Sequence, residues 1–407
     1  MIRFTRDEYE NRWTKTHAEM ERLGFDAAVV WQRSGGGYDR AGNVLWLTDY
    51  ATQASGQEPE FGWNTGAAFS AVILRQGYEP EVHTIEARDT IPEGTVACGE
   101  IFEHENLPVG VANRVRDLGL TDRICYVGDD LLPAEHYRMM IDTAPEIRWT
   151  PCEHLLNRPQ MVKSQAELGA YREAGEVASN ALTAIMEALI AGEPENEAAA
   201  RAAAIIVRAG GGFHRLAMNH GTNARTQMWS DPFYGFSRSR PERGDIVRGW
   251  VYGPILHGYW IDPGRTAVCG NTPTAAQKRV IENCAMVVEE MRAMCKPGIT
   301  ARDLGREGDK LARQVGYFDC AQGLSQWPIY GHGTGTFWQY PLPVFEKEAN
   351  GQDPESQLVD TPYEPGMVVS TEFFLTDEEG GSAAFEQNFI ITETGNELLT
   401  KTPMLWW

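Results

Sequence analysis

The sequence changes character once, between Cys152 and Gln160, and that break constrains the fold more than any other feature. Ahead of it, helical and extended patterns alternate. A charged helix is expected over Arg6–Leu23, ended by Gly24, a residue suited to the left-handed conformation of a helix C-terminus. Asp26–Trp31 then reads as a strand and Ser34–Gly37 as a Gly-rich turn. Asn43–Thr48, Ala67–Leu74 and Ile124–Gly128 read as further strands with helices between them. Past the break, Ser164 with Glu167 three residues on marks the start of a long helix. Two helical segments, about 165–192 and 195–210, lead into strands at Asp245–Tyr252 and His257–Cys269, joined by a Gly253-Pro254 turn. A helix pair follows, about 273–294 and 300–315. The chain closes on strands at Met367–Leu375 and Ala383–Thr392 around an Asp377–Gly381 turn. With 407 residues and 42% hydrophobic content there is apolar material for two cores. The expectation is an α/β domain over residues 1–160 and an α+β domain over residues 161–407, the second with its helices on one sheet face.

Charge narrows the partners. The 57 acidic residues outnumber 36 basic ones, and a net charge of -21 repels phosphate backbones and anionic lipid surfaces. No nucleic acid and no membrane are expected, and a small-molecule substrate is. Neither an apolar signal region nor a membrane-spanning apolar run is present, so the expected location is cytoplasmic. The 7 cysteines are scattered without a CxxC pair, the usage of reduced thiols rather than of a disulfide frame or a zinc ribbon. No 20 to 50 residue period recurs, which argues against a solenoid or propeller.

Four segments of the second half carry chemistry by their order and residue types. They are Gly244-Asp-Ile-Val-Arg-Gly-Trp250 leading through Gly258–Asp262 to Arg265-Thr266; Gly331-His332-Gly-Thr-Gly335; Pro365–Glu372; and Ala384-Phe-Glu386-Gln-Asn388. One Asp, one His and two Glu near strand ends are ligands of the kind that hold a divalent Zn, Mn or Fe ion. Each has a plainer reading. Asp262 can be a satisfied strand carboxylate, the glycines beside His332 can mark a tight bend, and Glu386 can face solvent. Glu372 among apolar neighbours is costly to bury alone, which favours a ligand or paired role.

These segments resemble the creatinase/prolidase/aminopeptidase P family, whose pita-bread fold is shared with methionine aminopeptidases. The resemblance is strong over about 165–407 and looser over 1–160, which it implies to be a creatinase-like N-terminal domain. In that family two Asp, one His and two Glu hold a pair of metal ions. The matching residues here are Asp262, His332, Glu372 and Glu386. The position of the family's first Asp is taken by Trp250, and no Asp or Glu occurs from Ile246 to Ile261. The resemblance therefore implies one divalent ion (Zn, Mn or Fe) or none. Two histidines of the family's peptidases are also replaced, one by Gln339 and one within Met228–Ser230, with His220 as a nearby substitute.

Such losses resemble the non-peptidase branches: creatinases, ectoine hydrolases and dimethylsulfoniopropionate lyases. Trp229, Trp250, Trp260, Trp327, Trp338 and Tyr340 lie in or beside the motifs, and aromatic faces of this kind can hold a cationic head, although aromatic side chains more often serve the core. The expected function is hydrolysis of a C–N bond, amide or amidine-like, in a small cationic or zwitterionic non-peptide. His332, Glu372 and Asp262 are the expected catalytic residues, with Trp250, Trp338, Arg248, Trp229 and His220 binding substrate. In the metal version the quartet Asp262, His332, Glu372 and Glu386 holds the ion and Glu372 or a nearby group shuttles a proton. In the metal-free version His332 is acid or base and a carboxylate is base or nucleophile. Three alternatives stand beside this: a lyase acting by β-elimination, an Xaa-Pro aminopeptidase or dipeptidase, and a non-catalytic binding protein. The resemblance also implies a homodimer, with Trp63 or Tyr38 as candidates to reach a neighbouring pocket.

Overall fold

A computed structural model describes residues 3–34, 42–52, 66, 68–225, 235–317, 329–337, 341 and 358–407. The chain divides into two compact units, Met1–Gln160 and Met161–Trp407.

In the first unit, α1 (Arg6–Leu23) starts under the Thr5 side chain, which accepts from the Glu8 N–H, and ends on Gly24 at φ 85°. β1 (Ala27–Arg33) follows. α2 (Gly42–Thr48) is a helix where the sequence suggested a strand. A short apolar run has no decisive period, and tertiary contacts settle it. The Trp13 indole N–H donates to the Leu47 carbonyl and Arg12 donates to that of Trp46, both at 2.8 Å, so the last carbonyls of a helix find donors. Then come β2 (Phe69–Arg75), β3 (Glu81–Thr84), β4 (Glu100–Glu103), α3 (Leu107–Asp117), β5 (Ile124–Val127), α4 (Ala134–Thr143) and β6 (Trp149–Pro151). The strands form one mixed sheet in the order β4-β3-β2-β1-β5-β6. Alternation along β1 builds two cores. Ala28 and Val30 pack with Tyr9 and Trp13, whereas Val29 and Trp31 pack with Val111 and Met140. The unit is the expected α/β layer structure.

The second unit is entered through α5 (Asn157–Met161) and begins with α6 (Gln165–Ile190), whose start is the Ser164/Glu167 capping box. α7 (Glu195–Arg208), β7 (Arg215–His220), β8 (Ile246–Leu256), β9 (Tyr259–Ile261) and β10 (Gly264–Val268) follow. After α8 (Ala275–Met294) and α9 (Ala301–Gln314) come β11 (Gly331–Gly333), β12 (Val368–Asp377), β13 (Gly381–Ile391) and β14 (Asn396–Leu398). The antiparallel sheet runs β11-β12-β13-β10-β8-β7, with β14 on β13 and β9 on β8. Helices cover one face: Phe373, Leu375 and Phe385 pack with Val280, Val288 and Leu304. Gly249 lets α6 come close, since a Cβ there would lie 2.6 Å from Ile185 Cγ2.

The Gly253-Pro254 turn expected from sequence does not occur. β8 runs through it, and the chain reverses at His257 and Gly258, whose φ values of 56° and 83° are those of a two-residue hairpin turn. Pro254 is tolerated because it sits beside a register shift of the β8–β9 ladder, where a missing N–H matters least.

Candidate active site

Residues paired across strands share a sheet face. Ala217 lies opposite Trp250, Trp250 opposite Gly264, Gly264 opposite Glu386, and Glu386 opposite Glu372. This single row crosses five strands on the face away from the Phe373 and Phe385 core. Asp262 lies just ahead of β10, and β11 lies beside β12 and brings in His332 opposite Ser370.

Four buried groups meet there. His332 Nε2 is 3.3 Å from Asp262 Oδ2, 3.4 Å from Glu386 Oε1 and 3.6 Å from Glu372 Oε1. The other ring nitrogen, Nδ1, is 2.9 Å from the Gly333 carbonyl oxygen. A carbonyl can only accept, so Nδ1 carries hydrogen and Nε2 is the atom turned to the carboxylates. Burial opposes a charged imidazole, yet Asp262 and Glu386 outweigh it and hold the His332 pKa well above its usual range. Burial likewise works to raise Asp262, but His332 and Asn388 win and its pKa is lowered. Glu386 is pushed well up, first by burial and then by Asp262 and Glu372, against the pull of His332.

Such a set suits a cation. Asp262, His332 and Glu386 each offer a ligand atom, all within 4.8 Å of one another. A tetrahedral centre with bonds of about 2.1 Å has ligand–ligand edges of about 3.4 Å, and the separations from Nε2 are 3.3 to 3.6 Å. The supports are those of a metal site: Gly333 holds the imidazole tautomer, and two further groups hold carboxylates. Asn388 donates from Nδ2 to Asp262 Oδ1 at 2.5 Å and accepts the Asp262 backbone N–H at 3.2 Å. Trp250 donates its indole N–H to Glu386 Oε2 at 2.9 Å. Sequence reasoning gave Asn388 no role, although it lies two residues after Glu386 on the same strand and therefore on the same face.

The remaining candidates fall differently. Arg248, two residues before Trp250 on the same face, is buried, bonds Asn219 Oδ1 at 3.0 Å and lies 5.8 Å from the Phe374 ring centre. His220 is not brought to the quartet by any of these contacts. It sits opposite Val247, on the other face from Arg248, and its Nδ1 meets Glu195 at 2.6 Å. Trp260 packs on His214, with ring centres 5.4 Å apart. Trp229, Trp338, Trp327, Tyr340, Gln339, Met228, Ser230, Tyr38 and Trp63 lie outside the described residues.

Residues 169–393 match metallopeptidase family M24. The chain belongs to that family. Relatives span its range: an Xaa-Pro dipeptidase of Pyrococcus horikoshii is 27% identical over 243 residues, 60% of this chain and 63% of its own length. The chain thus matches less than two thirds of that relative. A creatinase of Bacillus sp. is 22% identical over 417 residues, covering 98% of this chain and 92% of its own. Among solved structures, the prolidase of P. horikoshii OT3 superposes with a TM-score of 0.75 at 19% identity, over 97% of this chain and 99% of its own. Likeness at that identity shows the fold, and the second unit is the pita-bread domain expected of family M24.

The comparisons correct the expected substrate. A non-peptide, cationic or zwitterionic substrate was expected from the missing carboxylate, the two replaced histidines and the aromatic residues beside the motifs, but the family is one of metallopeptidases and dipeptidases recur among its matches to this chain. The physical reason is that a ligand lost from a metal cluster alters what the cluster holds and carries no information about the bond presented to it. M24 enzymes typically use divalent metals, and Asp262, His332 and Glu386 form a cluster of the right chemistry for one. No helix among the described residues is long and apolar enough to cross a membrane.

Proposed function

We propose that this chain is a peptidase of the Xaa-Pro dipeptidase type, hydrolysing the C–N bond of a short peptide at a metal centre in residues 161–407. The observation that carries this reading is the convergence of Asp262, His332 and Glu386 within 4.8 Å in a chain of the metallopeptidase family. The names of its relatives, Xaa-Pro dipeptidases from two Pyrococcus species, supply the substrate class.

Asp262, His332, Glu372 and Glu386 would hold the ion. Bound there, a divalent ion supplies Lewis acidity toward a peptide carbonyl and toward water. The chain's own groups do the rest. Gly333 keeps hydrogen on Nδ1, so that Nε2 remains a ligand atom. Asn388 fixes Asp262 by two hydrogen bonds and Trp250 fixes Glu386 by one. Glu372 or a nearby group would accept a proton from the attacking water and pass it to the leaving amine. Arg248, with its planar fork, is the anchor for the carboxylate terminus of a dipeptide. The net charge of -21 and the scattered thiols support a cytoplasmic enzyme of small substrates, and the family resemblance supports a homodimer.

Release of free proline from a panel of Xaa-Pro dipeptides, with Mn, Zn or Co added to metal-stripped protein, tests the reading. Metal-dependent release, lost in His332→Ala, is expected. Absence of cleavage with every metal would overturn it.

A further inference from the structure

We infer that the Trp250 indole makes this a one-ion site, by occupying the outer oxygen of Glu386 and the space a second ion sharing that carboxylate would need. The inference rests on the reading of the quartet as a metal centre.

A carboxylate that bridges two cations in the common syn–syn manner gives one oxygen to each. Glu386 directs Oε1 to the His332 side of the cluster, and its Oε2 accepts the Trp250 N–H at 2.9 Å. A second ion on Oε2 would have to displace that buried hydrogen bond and leave the indole N–H without its acceptor. It would also have to evict the ring. Trp250 is buried and sits in a fitted cradle. Gly264, its cross-strand neighbour, has no side chain, and a Cβ there would lie 1.8 Å from the indole Cε2. Ala217 and Ala384 present small side chains to it, and Phe374 stacks on it with ring centres 5.8 Å apart at 28°.

A core tryptophan needs only burial and some acceptor for its N–H. This one takes as acceptor a carboxylate of the quartet, and it stands in the same cross-strand row as Glu386 and Glu372. Trp250 is thus a positioning residue as well as a filler. It holds Glu386 in a geometry that offers a single oxygen to the cluster.

Two measurements on the full chain test this without reference to turnover. Metal content after loading with Mn or Zn and desalting, checked by calorimetric titration with Mn, is expected to give one ion per chain and a one-site isotherm. Trp250→Phe keeps the ring and removes the donor, so the count should stay at one while the dissociation constant rises roughly tenfold. Melting curves with and without Mn confirm that the variant is folded. A count of two or of zero overturns the inference, and an unchanged dissociation constant in Trp250→Phe overturns the positioning role. The peptidase reading fails separately: one ion bound with no Xaa-Pro cleavage sinks that reading and leaves the one-ion site standing, whereas two ions with cleavage does the reverse.

Discussion

Replacing Asn388 by alanine removes a side chain that holds Asp262 by two hydrogen bonds. The side chain is fully buried. It donates to Asp262 Oδ1 at 2.5 Å and accepts the Asp262 N–H at 3.2 Å. A hydrogen bond to a charged group contributes about 1.5–3 kcal/mol and a neutral one about 1 kcal/mol, so truncation should destabilise the second unit by about 3 kcal/mol. For a unit of this size that lowers its melting transition by roughly 6–12 °C. The truncated variant also leaves Asp262 free to turn, and loss of a group supporting a metal ligand typically weakens metal affinity 10 to 100-fold. Calorimetric melting of metal-stripped protein reads the first effect and titration with Mn reads the second. An Asn388→Ala protein that melts within about 2 °C of the parent and binds Mn equally well would refute the reasoning, because both consequences come from the same two bonds.

Three further outcomes are expected. Gly264→Ala drives a methyl into the Trp250 ring, 1.8 Å away in the present packing, and should destabilise by roughly 3 kcal/mol or abolish folding, whereas Gly24→Ala, with nothing within 4 Å, should cost only about 1 kcal/mol through its left-handed φ; urea unfolding compares them. In the first unit, burial works to raise the Glu81 pKa, but the nearby His83 ring, 3.7 Å away, and the hydrogen bonds and charges of Arg114 and Arg75 bring it down to about 2 from an ordinary 4.5. Between those values the unfolded chain binds a proton that the native one does not, so stability is lost as pH falls through that window. Glu81→Gln should flatten the slope, and parallel stability curves at pH 3 to 6 would contradict it. Arg248→Ala should raise KM for Xaa-Pro dipeptides at least about tenfold with a smaller change in kcat. Unchanged kinetics in a folded variant would remove Arg248 from substrate binding.

Much of this molecule was legible without coordinates where local chemistry decides structure. α1 spans Arg6–Leu23 as expected, because Thr5 and Gly24 are strong end signals, and the Ser164/Glu167 pair starts α6 at Gln165. The four polar residues of the site were also legible, since acidic and imidazole groups amid apolar strands must have partners to be buried. What failed was decided by contacts distant in sequence. Asn43–Thr48 became a helix through Trp13 and Arg12. Pro254 stayed inside a strand because of a register shift. Register is the deeper omission: the row from Ala217 to Glu372 exists only once five strands are paired. Without it neither the fit of Trp250 over Gly264 nor the grip of Asn388 on Asp262 could be seen. The substrate was over-read from replaced ligands and histidines and from aromatic residues near the motifs, none of which reports on the bond that is cleaved.

Whether Asp262, His332, Glu372 and Glu386 form one metal centre is read by anomalous X-ray scattering from crystals loaded with Mn. One strong peak is expected, bounded by those four side chains and bonded to His332 Nε2 at about 2.0–2.2 Å. A peak elsewhere in the chain, or a second peak on the Trp250 side of Glu386, would contradict it.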